Sequence, residues 1–439
     1  MANSLVTCLN RNTFSSETSG NVASPQQSDL IAAPDALPQP SRNDSLQDIC
    51  QQFIYDLNSN PEEALALLKA LQPLNPDAPS DQVLTKLRST LTTLQTRLYH
   101  LRNNLADTDT TSSSQYWVNN EWHKPGTLFA NADNISNDAS GTVNVEKNIS
   151  KYGKLGFFLN AAIINSNQKK DGVKLGNDSR DATLTLGVDY RFTDHVVGGV
   201  AFNIDQAKSN FDGNLYTSGS LDSDGYSVIL YGTYYNNNAF VDGSVTLGGE
   251  DYKQTRDPAL LGNSYEAQFH GDLAQASVTG GYDFTVNSFN FTPFAQITSG
   301  NISIDGYHET AANPLGPNTG AILALNDQTR KIGTFNIGSY FRYIATTQRG
   351  VFIPLLSLTY YNDYKDDAQV VTGRFIENAS PNSSFQLQTH AIDSSYFVIG
   401  LGFSFQLKGG NSGFVNIESV QGYDNLSQER LTAGWRWEI

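Results

Sequence analysis

Residues 182–192, ATLTLGVDYRF, alternate apolar and polar side chains almost without interruption. The apolar positions are Leu184, Leu186, Val188, Tyr190 and Phe192, and the intervening ones are Thr183, Thr185, Gly187, Asp189 and Arg191. Because successive side chains of a β-strand point to opposite faces, this spacing predicts a strand with one apolar and one polar face. The alternation resumes over 198–205, which predicts a second strand after a tight turn at 193–195.

The same alternation recurs up to the last residue and predicts about twelve strands. They lie near 153–166, 181–192, 196–208, 224–236, 239–253, 268–285, 289–306, 330–344, 350–364, 385–407, 412–423 and 428–439. An even number of strands is what single-chain bacterial membrane barrels have, because both ends of the barrel sequence then lie on one side.

Short and long connections alternate between these strands. The short ones are 193–195, 236–238, 287–288, 346–350 and 408–411, and the long ones are 167–180, 209–223, 254–267, 307–329 and 365–384. Aromatic pairs such as Tyr190 with Phe192 stand beside the short connections. Short turns on one side, long loops on the other and aromatic girdles are typical of transmembrane barrels. We therefore predict an all-β fold, an antiparallel transmembrane β-barrel of about twelve strands, over residues 152–439.

The residues before the barrel have different patterns. Residues 1–45 are rich in Ser, Asn, Pro and Gln and are predicted to be irregular, 46–107 to be helical, and 108–151 to be a linker. Within the helical region, Leu46, Ile49, Phe53 and Leu57 mark a first amphipathic helix. Pro61 is well placed to begin a second helix, whose stripe consists of Leu65, Leu68 and Leu71.

The third predicted helix carries the clearest helical signal. Its leucines are spaced alternately by three and four residues: Leu84, Leu87, Leu91, Leu94, Leu98, Leu101 and Leu105. Such a heptad seam suits a coiled coil. We favour packing against the two short helices, because their apolar stripes also need to be covered. A further alternative is that part of this helix threads a polar barrel lumen, although the apolar seam argues against threading over its whole length.

Composition narrows the class of protein. The 439 residues are 39% hydrophobic, and the net charge of −16 argues against binding to nucleic acid, which requires a basic surface. No run approaches the roughly 18 apolar residues of a membrane-spanning helix. The first residues, MANSLVTCLNRNTF, lack the basic and apolar regions of a secretory signal, so an exported protein is expected to have a truncated or altered start here.

Four stretches resemble the translocator β-domain of autotransporters, the type V secretion family. They are LGFFLNAAI leading to TLTLGVDYRFTDHVVGGVAFN, LDSDGYSVILYGTYY followed by AFVDGSVTLG, the terminal GYDNLSQERLTAGWRWEI, and RLYHLR at 97–102. The resemblance implies an outer-membrane barrel that anchors, and translocates or displays, the segment before it. It also implies contact with outer-membrane lipid and the barrel-assembly machinery, and we expect a monomer.

The resemblance also suggests roles for particular residues. Trp435, Trp437 and Ile439 belong to the terminal strand that the assembly machinery is thought to read, with Ile439 where the family usually has Phe or Trp. The dipeptide Asn103-Asn104 resembles the site at which some members cleave themselves, but an ordinary helix end is the interpretation we favour.

Export would favour a disulfide between Cys8 and Cys50, the only two cysteines, over two separate thiols of which Cys50 is buried in a helix. The six histidines are scattered without metal-ligand spacing and there is no GxSxG elbow, so we expect no enzyme activity, cofactor or metal. His270 with Asp272, and His308 with nearby carboxylates, are weaker catalytic alternatives.

Two other functions stay open. In a passive porin, lumen-facing charges would set the selectivity, namely Asp189, Arg191, Asp205 and Asp283. An adhesin would act through the long loops. A porin would conduct much current and a plugged translocator little, so a conductance measurement distinguishes the porin from the translocator.

Overall fold

The computed structural model describes most of the helical region and of the β-domain. The described residues are 45–105, 116–118, 121–123, 155–170, 174–212, 216–347, 350–365, 369–377, 384–389, 394–407 and 412–438. Of the predicted linker, these include a small hairpin of Tyr116–Val118 and Glu121–His123. Among the described residues, no helix combines the length and apolar character that crossing a membrane requires.

Twelve long strands form the β-domain. They are β1 Leu155–Gln168, β2 Asn177–Thr193, β3 Val196–Phe211, β4 Ser218–Asn236, β5 Ala239–Asp257, β6 Tyr265–Tyr282, β7 Phe289–Ile304, β8 Gln328–Tyr343, β9 Gly350–Asp363, β10 Ser395–Leu407, β11 Ser412–Gln421 and β12 Leu426–Glu438. Short strands at Phe284–Val286 and Ala345–Thr347 pair with β7 and β9, respectively, next to the short turns.

The strands pair antiparallel in chain order and close into a ring. β12 pairs with β1 from Leu426 opposite Gln168 to Glu438 opposite Gly156. Closure satisfies the backbone hydrogen bonds of both terminal strands, which lipid could not do. The predicted twelve-stranded antiparallel barrel is therefore confirmed.

Side chains alternate between a lumen face and an outward face, with the predicted register. Thr185 is 6% exposed on the lumen face, whereas its neighbour Leu186 is 51% exposed on the outward face. The outward face carries a band of exposed aliphatic and aromatic side chains around the ring, including Phe202, Leu230, Ile297 and Leu401. Such a band is the surface that a barrel presents to hydrocarbon.

The long-loop end contains more ordered structure than predicted. Tyr307–His308, Leu323–Leu325, Val370–Phe375 and Phe385–Gln388 form a four-stranded sheet, here called the loop sheet. A two-residue strand at Thr310–Ala311 pairs with β6, and a 3₁₀ turn spans Thr319–Ala321. The predicted strand 385–407 is wrong in extent, because its first part pairs within the loop sheet and β10 begins only at Ser395.

Three helices precede the barrel: α1 Leu46–Ser59, α2 Pro61–Ala70 and α3 Ala78–Leu105. The Ser45 side chain accepts a bond from the Asp48 backbone amide, and the Asp48 carboxylate accepts one from the Ser45 backbone amide. This capping box fixes where α1 begins. Pro61 opens α2 as predicted, since a first-turn proline loses no helical hydrogen bond.

Helix α3 lies inside the barrel, and its leucines serve two environments. Leu84 and Leu87 belong to a core shared with α1, α2 and the wall near the long-loop end. Leu94, Leu98 and Leu101 pack instead against inward-facing wall residues such as Phe158 and Ile229. Packing on the short helices therefore accounts only for the first half of the seam, and the alternative that we disfavoured, a threaded lumen, accounts for the second.

Candidate functional site: the occupied barrel lumen

A buried lysine in the lumen anchors α3 to three adjacent strands. The Lys86 ammonium lies 2.7 Å from Glu250 and also contacts Asp205, and it donates a 2.9 Å bond to the Ser223 hydroxyl. The side chain is 4% exposed, so a charge without these partners would carry a large desolvation cost. Two carboxylates on β3 and β5 thus fix the position of α3 at this level of the barrel.

A second set of charges holds the start of α3 at the long-loop end. Asp81 lies 2.5 Å from Arg330 at the beginning of β8, and 2.7 Å from Lys174 in the β1–β2 loop. Lys174 also reaches Asp77, at 3.1 Å. Burial raises the pKa of Asp77, and the nearby Asp81 carboxylate adds to that increase, while Lys174 opposes it. The β1–β2 loop and strand β8 therefore both bind the first turn of α3.

Two arginines pair with the wall farther along α3. Arg88 lies 2.5 Å from Asp363 on β9, and Thr334 donates a 2.7 Å bond to the same carboxylate. Nearer the short-turn end, Arg97 pairs with Asp189 on β2. The Arg97 guanidinium also lies 4.9 Å from the ring centre of Phe158, a cation–π contact.

The wall around α3 is polar and internally hydrogen-bonded. Gln296 donates to Thr279 at 3.0 Å and accepts from Asn336 at 2.7 Å, which links β6, β7 and β8. Arg88, Leu91 and Thr92 of α3 lie beside this part of the wall. The cavity between the helix and this wall has a volume of only about 20 Å³, too small for an open channel there.

Helices α1 and α2 cover the long-loop mouth, where a buried arginine connects three elements. Arg256 of β5 is 0% exposed, and its guanidinium lies 2.8 and 2.6 Å from the two carboxylate oxygens of Glu309. It also donates to the carbonyl of Ala70 at 3.2 Å and to that of Ala321 at 3.0 Å. One side chain thus joins the wall, the end of α2 and the loop region.

The beginning of α1 is held by the loop region as well. The Leu46 amide donates a 2.7 Å bond to Glu377, just beyond the loop sheet. Within α1, burial raises the pKa of Asp56, although a hydrogen bond from Gln52 opposes the increase. The two short helices are therefore integrated into the mouth of the barrel.

The structure places the predicted site residues in separate regions. Cys50 is buried in α1 at 2% exposure, but Cys8 lies outside the described residues, so the disulfide stays a prediction. Asn103 and Asn104 lie in the last turns of α3, and their side chains are also outside the described set, which leaves self-cleavage untested.

The two tryptophans of the terminal strand lie on the outward face of the barrel. Trp437 is 45% exposed on the outward face of β12, and Trp435 stands two residues before it on the same face. Ile439 lies outside the described residues. The role of this strand as an assembly signal stays a prediction.

Of the four charges predicted to line an open pore, Arg191 is half-buried and the three carboxylates have a different environment. Asp189, Asp205 and Asp283 are buried, at 3%, 7% and 7% exposure. The first two pair with α3, and Asp283 accepts a bond from Thr292. The cationic partners on α3, Lys86, Arg88 and Arg97, were not singled out from the sequence. The sequence does contain a pattern that could identify them, because these three are the only Lys, Arg, Asp or Glu residues between 82 and 101 of the leucine helix.

The histidines considered for catalysis lie away from the lumen. His270 stands on the outward face of β6, 2.8 Å from Asp251 and 3.6 Å from Asp272. His308 belongs to the loop sheet. Among the described residues, no three His, Cys, Asp or Glu side chains are grouped so as to hold a metal ion.

Comparisons with known proteins identify the family. A family model described as "Autotransporter beta-domain" matches residues 157–418, more than half of the chain. The translocator domain of the autotransporter NalP from Neisseria meningitidis is 13% identical with a TM-score of 0.51, covering 69% of this chain and 90% of that one.

Two further solved structures are similar. The beta domain of the Bordetella autotransporter BrkA is 14% identical with a TM-score of 0.48, covering 65% of this chain and 100% of that one. The transport unit of AIDA-I from Escherichia coli is 13% identical with a TM-score of 0.47, covering 71% and 96%. No curated protein sequence matches. The chain belongs to the autotransporter β-domain family and is a translocator barrel of the bacterial outer membrane.

Proposed function

We propose that the lumen of this translocator stays plugged by α3, which presents α1, α2 and the preceding residues at the cell surface. The observation that carries the proposal is the direction of α3 through the barrel. Its first turn contacts Arg330 where β8 leaves the long-loop end, and Arg97 contacts Asp189 near the short turn after β2. The helix therefore runs from the long-loop mouth to the short-turn mouth.

This direction fits export through the barrel. In outer-membrane barrels the long loops face the exterior and the short turns face the periplasm. Strand β1 begins, and β12 ends, at the short-turn end. A chain that enters the barrel sequence from α3 therefore crosses the lumen once, with its earlier residues outside. We infer that translocation has delivered α1 and α2 to the mouth, where Arg256 and Glu377 hold them.

The presence of α3 in the lumen also argues against a porin function. Three lumen carboxylates that could attract ions in an open pore, Asp189, Asp205 and Asp363, are paired with α3. Ion flow would need α3 to leave, which would expose several buried charges without partners. We expect the full chain to be a poor conductor that acts as an anchor and works without enzymatic catalysis. Its insertion would depend on the barrel-assembly machinery, and it would act as a monomer.

Surface labelling of intact cells tests the orientation. An epitope tag placed directly before Ser45 should be accessible to antibody and removed by external protease. A matched tag in the short turn at Asn237–Asn238 should be protected until the cells are lysed. Protection of the first tag, or accessibility of the second, would refute the proposed direction.

Planar-bilayer recording tests the plug. The full chain should give only small or brief openings, whereas a variant lacking residues 46–105 should conduct steadily as an open barrel. A steady large conductance of the full chain would favour the porin instead. The tag result can hold while the conductance result fails, so the two experiments test orientation and plugging separately.

A further inference from the structure

The outward face of the barrel becomes polar directly above the apolar band, towards the long-loop end. On β1 the last exposed aliphatic side chain is Ile163, and Asn165 follows on the same face. On β12, Leu431 is preceded on that face by Glu429. This boundary is where lipid headgroups meet a membrane barrel.

One row of side chains at this boundary can be followed across six strands by the backbone pairing. In the order β12, β1, β2, β3, β4 and β5 its members are Glu429, Asn165, Arg180, Lys208, Asp222 and Lys253. Lys208 is opposite Asp222, and Asp222 is opposite Lys253, so these neighbours have charges of opposite sign. Arg180 and Lys208 are the exception, since two like charges are directly opposite each other. Such a pair destabilises a sheet.

Both members of a nearby acidic pair have close partners. Asp224 and Asp251 are also directly opposite each other, on β4 and β5. However, Gln206 donates to Asp224 at 2.7 Å, and the His270 ring lies 2.8 Å from Asp251.

The two cations differ in their contacts with the described residues. Lys208 has only a loose contact of 3.6 Å with Asp222, and both side chains are largely exposed. The Arg180 side chain makes no ion pair or hydrogen bond with any of the residues that the structure describes. Arg180 therefore has no partner among the described residues, and it lies opposite a second cation at the level of the headgroups.

The two cations also share a polar groove. It has a volume of about 550 Å³ on the outside of β12, β1, β2 and β3. Its other lining groups are amides, hydroxyls and carboxylates, which can hydrogen-bond sugar hydroxyls, and they include Asn165, Asn167 and Asn210. Asp178, which precedes Arg180 by two residues on the same face of β2, accepts a 2.5 Å bond from Asn167.

We propose that Arg180 and Lys208 bind the phosphate of a phosphorylated glycolipid headgroup in the leaflet on the long-loop side. The guanidinium can hold two phosphate oxygens and the ammonium a third, while the amides of the groove receive the attached sugar. The acyl chains would then lie against the apolar band below. A free phosphate ion has the same charge but would use neither the amides nor the band.

Native mass spectrometry of the full chain in detergent tests this proposal, and it does not depend on the orientation of the barrel. The probe is an acylated glucosamine disaccharide with phosphates at both ends, compared with the same lipid after dephosphorylation. The wild type should bind the phosphorylated lipid at least fivefold better. R180Q/K208Q should lose that preference, and the matched control K253Q, in the same row but paired with Glu266, should keep it.

Three results would overturn the proposal. One is equal binding of the two lipids by the wild type, and another is an unchanged preference in R180Q/K208Q. The third is saturation of the site by inorganic phosphate with no additional binding from the acylated lipid, which would assign the site to a free anion. Heat-modifiable migration of each variant, measured in parallel, shows that the barrel is folded, so loss of binding cannot be attributed to misfolding.

Discussion

The two faces of the barrel wall are held by different physics. The outward face needs only apolar side chains of suitable size, because hydrocarbon has no preferred partner for any one of them. The lumen face needs particular partners, since Asp205, Glu250 and Asp363 are buried carboxylates that match cations on α3. Outward positions should therefore tolerate exchange among apolar residues, whereas lumen positions should not tolerate the loss of a partner.

The difference explains how one wall can serve translocation. Under the proposed function, a polar lumen would allow an unfolded chain to pass, because its groups can exchange hydrogen bonds with the chain and with water. When α3 entered the lumen, the same groups would find fixed partners and hold the helix. The lipid face keeps its environment unchanged throughout, so stability of the barrel and retention of α3 can be altered separately by mutation.

The largest expected effect comes from opening the seam on which both faces depend. Deletion of residues 435–439 removes the pairing of β12 with the first residues of β1 and leaves backbone groups unsatisfied in lipid. Insertion into the outer membrane should be abolished, as measured by fractionation and heat-modifiable migration. The double substitution W435F/W437F keeps the backbone pairing and should still insert. Normal insertion of the truncated chain would contradict closure through this strand.

On the lumen face, Lys86→Met leaves Asp205 and Glu250 without their shared cation. Breaking a buried ion pair on one side costs about 3–5 kcal/mol, so the plugged state should lose two orders of magnitude or more in population. Single-channel recording should show long openings that are rare in the wild type. The triple variant K86M/D205N/E250Q removes all three charges and should restore much of the closed state. Unchanged gating in Lys86→Met would show that α3 is held in other ways.

On the lipid face, Leu186→Arg places a charge among hydrocarbon, which costs about 2–4 kcal/mol near the membrane midplane. Leu186 is 51% exposed outward, so Leu186→Ala should change stability far less. Urea unfolding in lipid vesicles measures both variants. Channel gating should be normal in each, because α3 does not contact this side chain. Equal destabilisation by Arg and Ala would mean that Leu186 faces packed protein.

The sequence predicted the lipid face well, because that face follows a local rule. An alternation of period two shows which residues of 182–192 point outward, whatever the rest of the chain does. The ends of a strand do not follow from this rule where the alternation continues without a break. The predicted strand 385–407 joined two strands of different sheets, since no pattern within it marks the separate pairing of Phe385–Gln388.

The lumen face could not be predicted in the same way, because its partners are distant in the chain. Lys86 and Glu250 are 164 residues apart, and Arg88 and Asp363 are separated by 275. A leucine seam is also compatible with two structures, a helical bundle and a helix that threads the lumen with apolar contacts to the wall. Helix α3 combines the two, since Leu87 packs in the core shared with α1 and α2 and Leu98 packs against the wall.

The smallest effect on stability is expected for an ion pair on the outward face of the barrel. Lys253 lies 3.9 Å from Glu266, with side chains 54% and 44% exposed. Exposed ion pairs contribute about 0–1 kcal/mol, because water screens the attraction and two long side chains must be ordered. Lys253→Gln should therefore leave the urea midpoint and the gating within error of wild type, although it removes one cation just as Lys86→Met does. A loss comparable to that of Lys86→Met would show that burial is not what distinguishes the two faces.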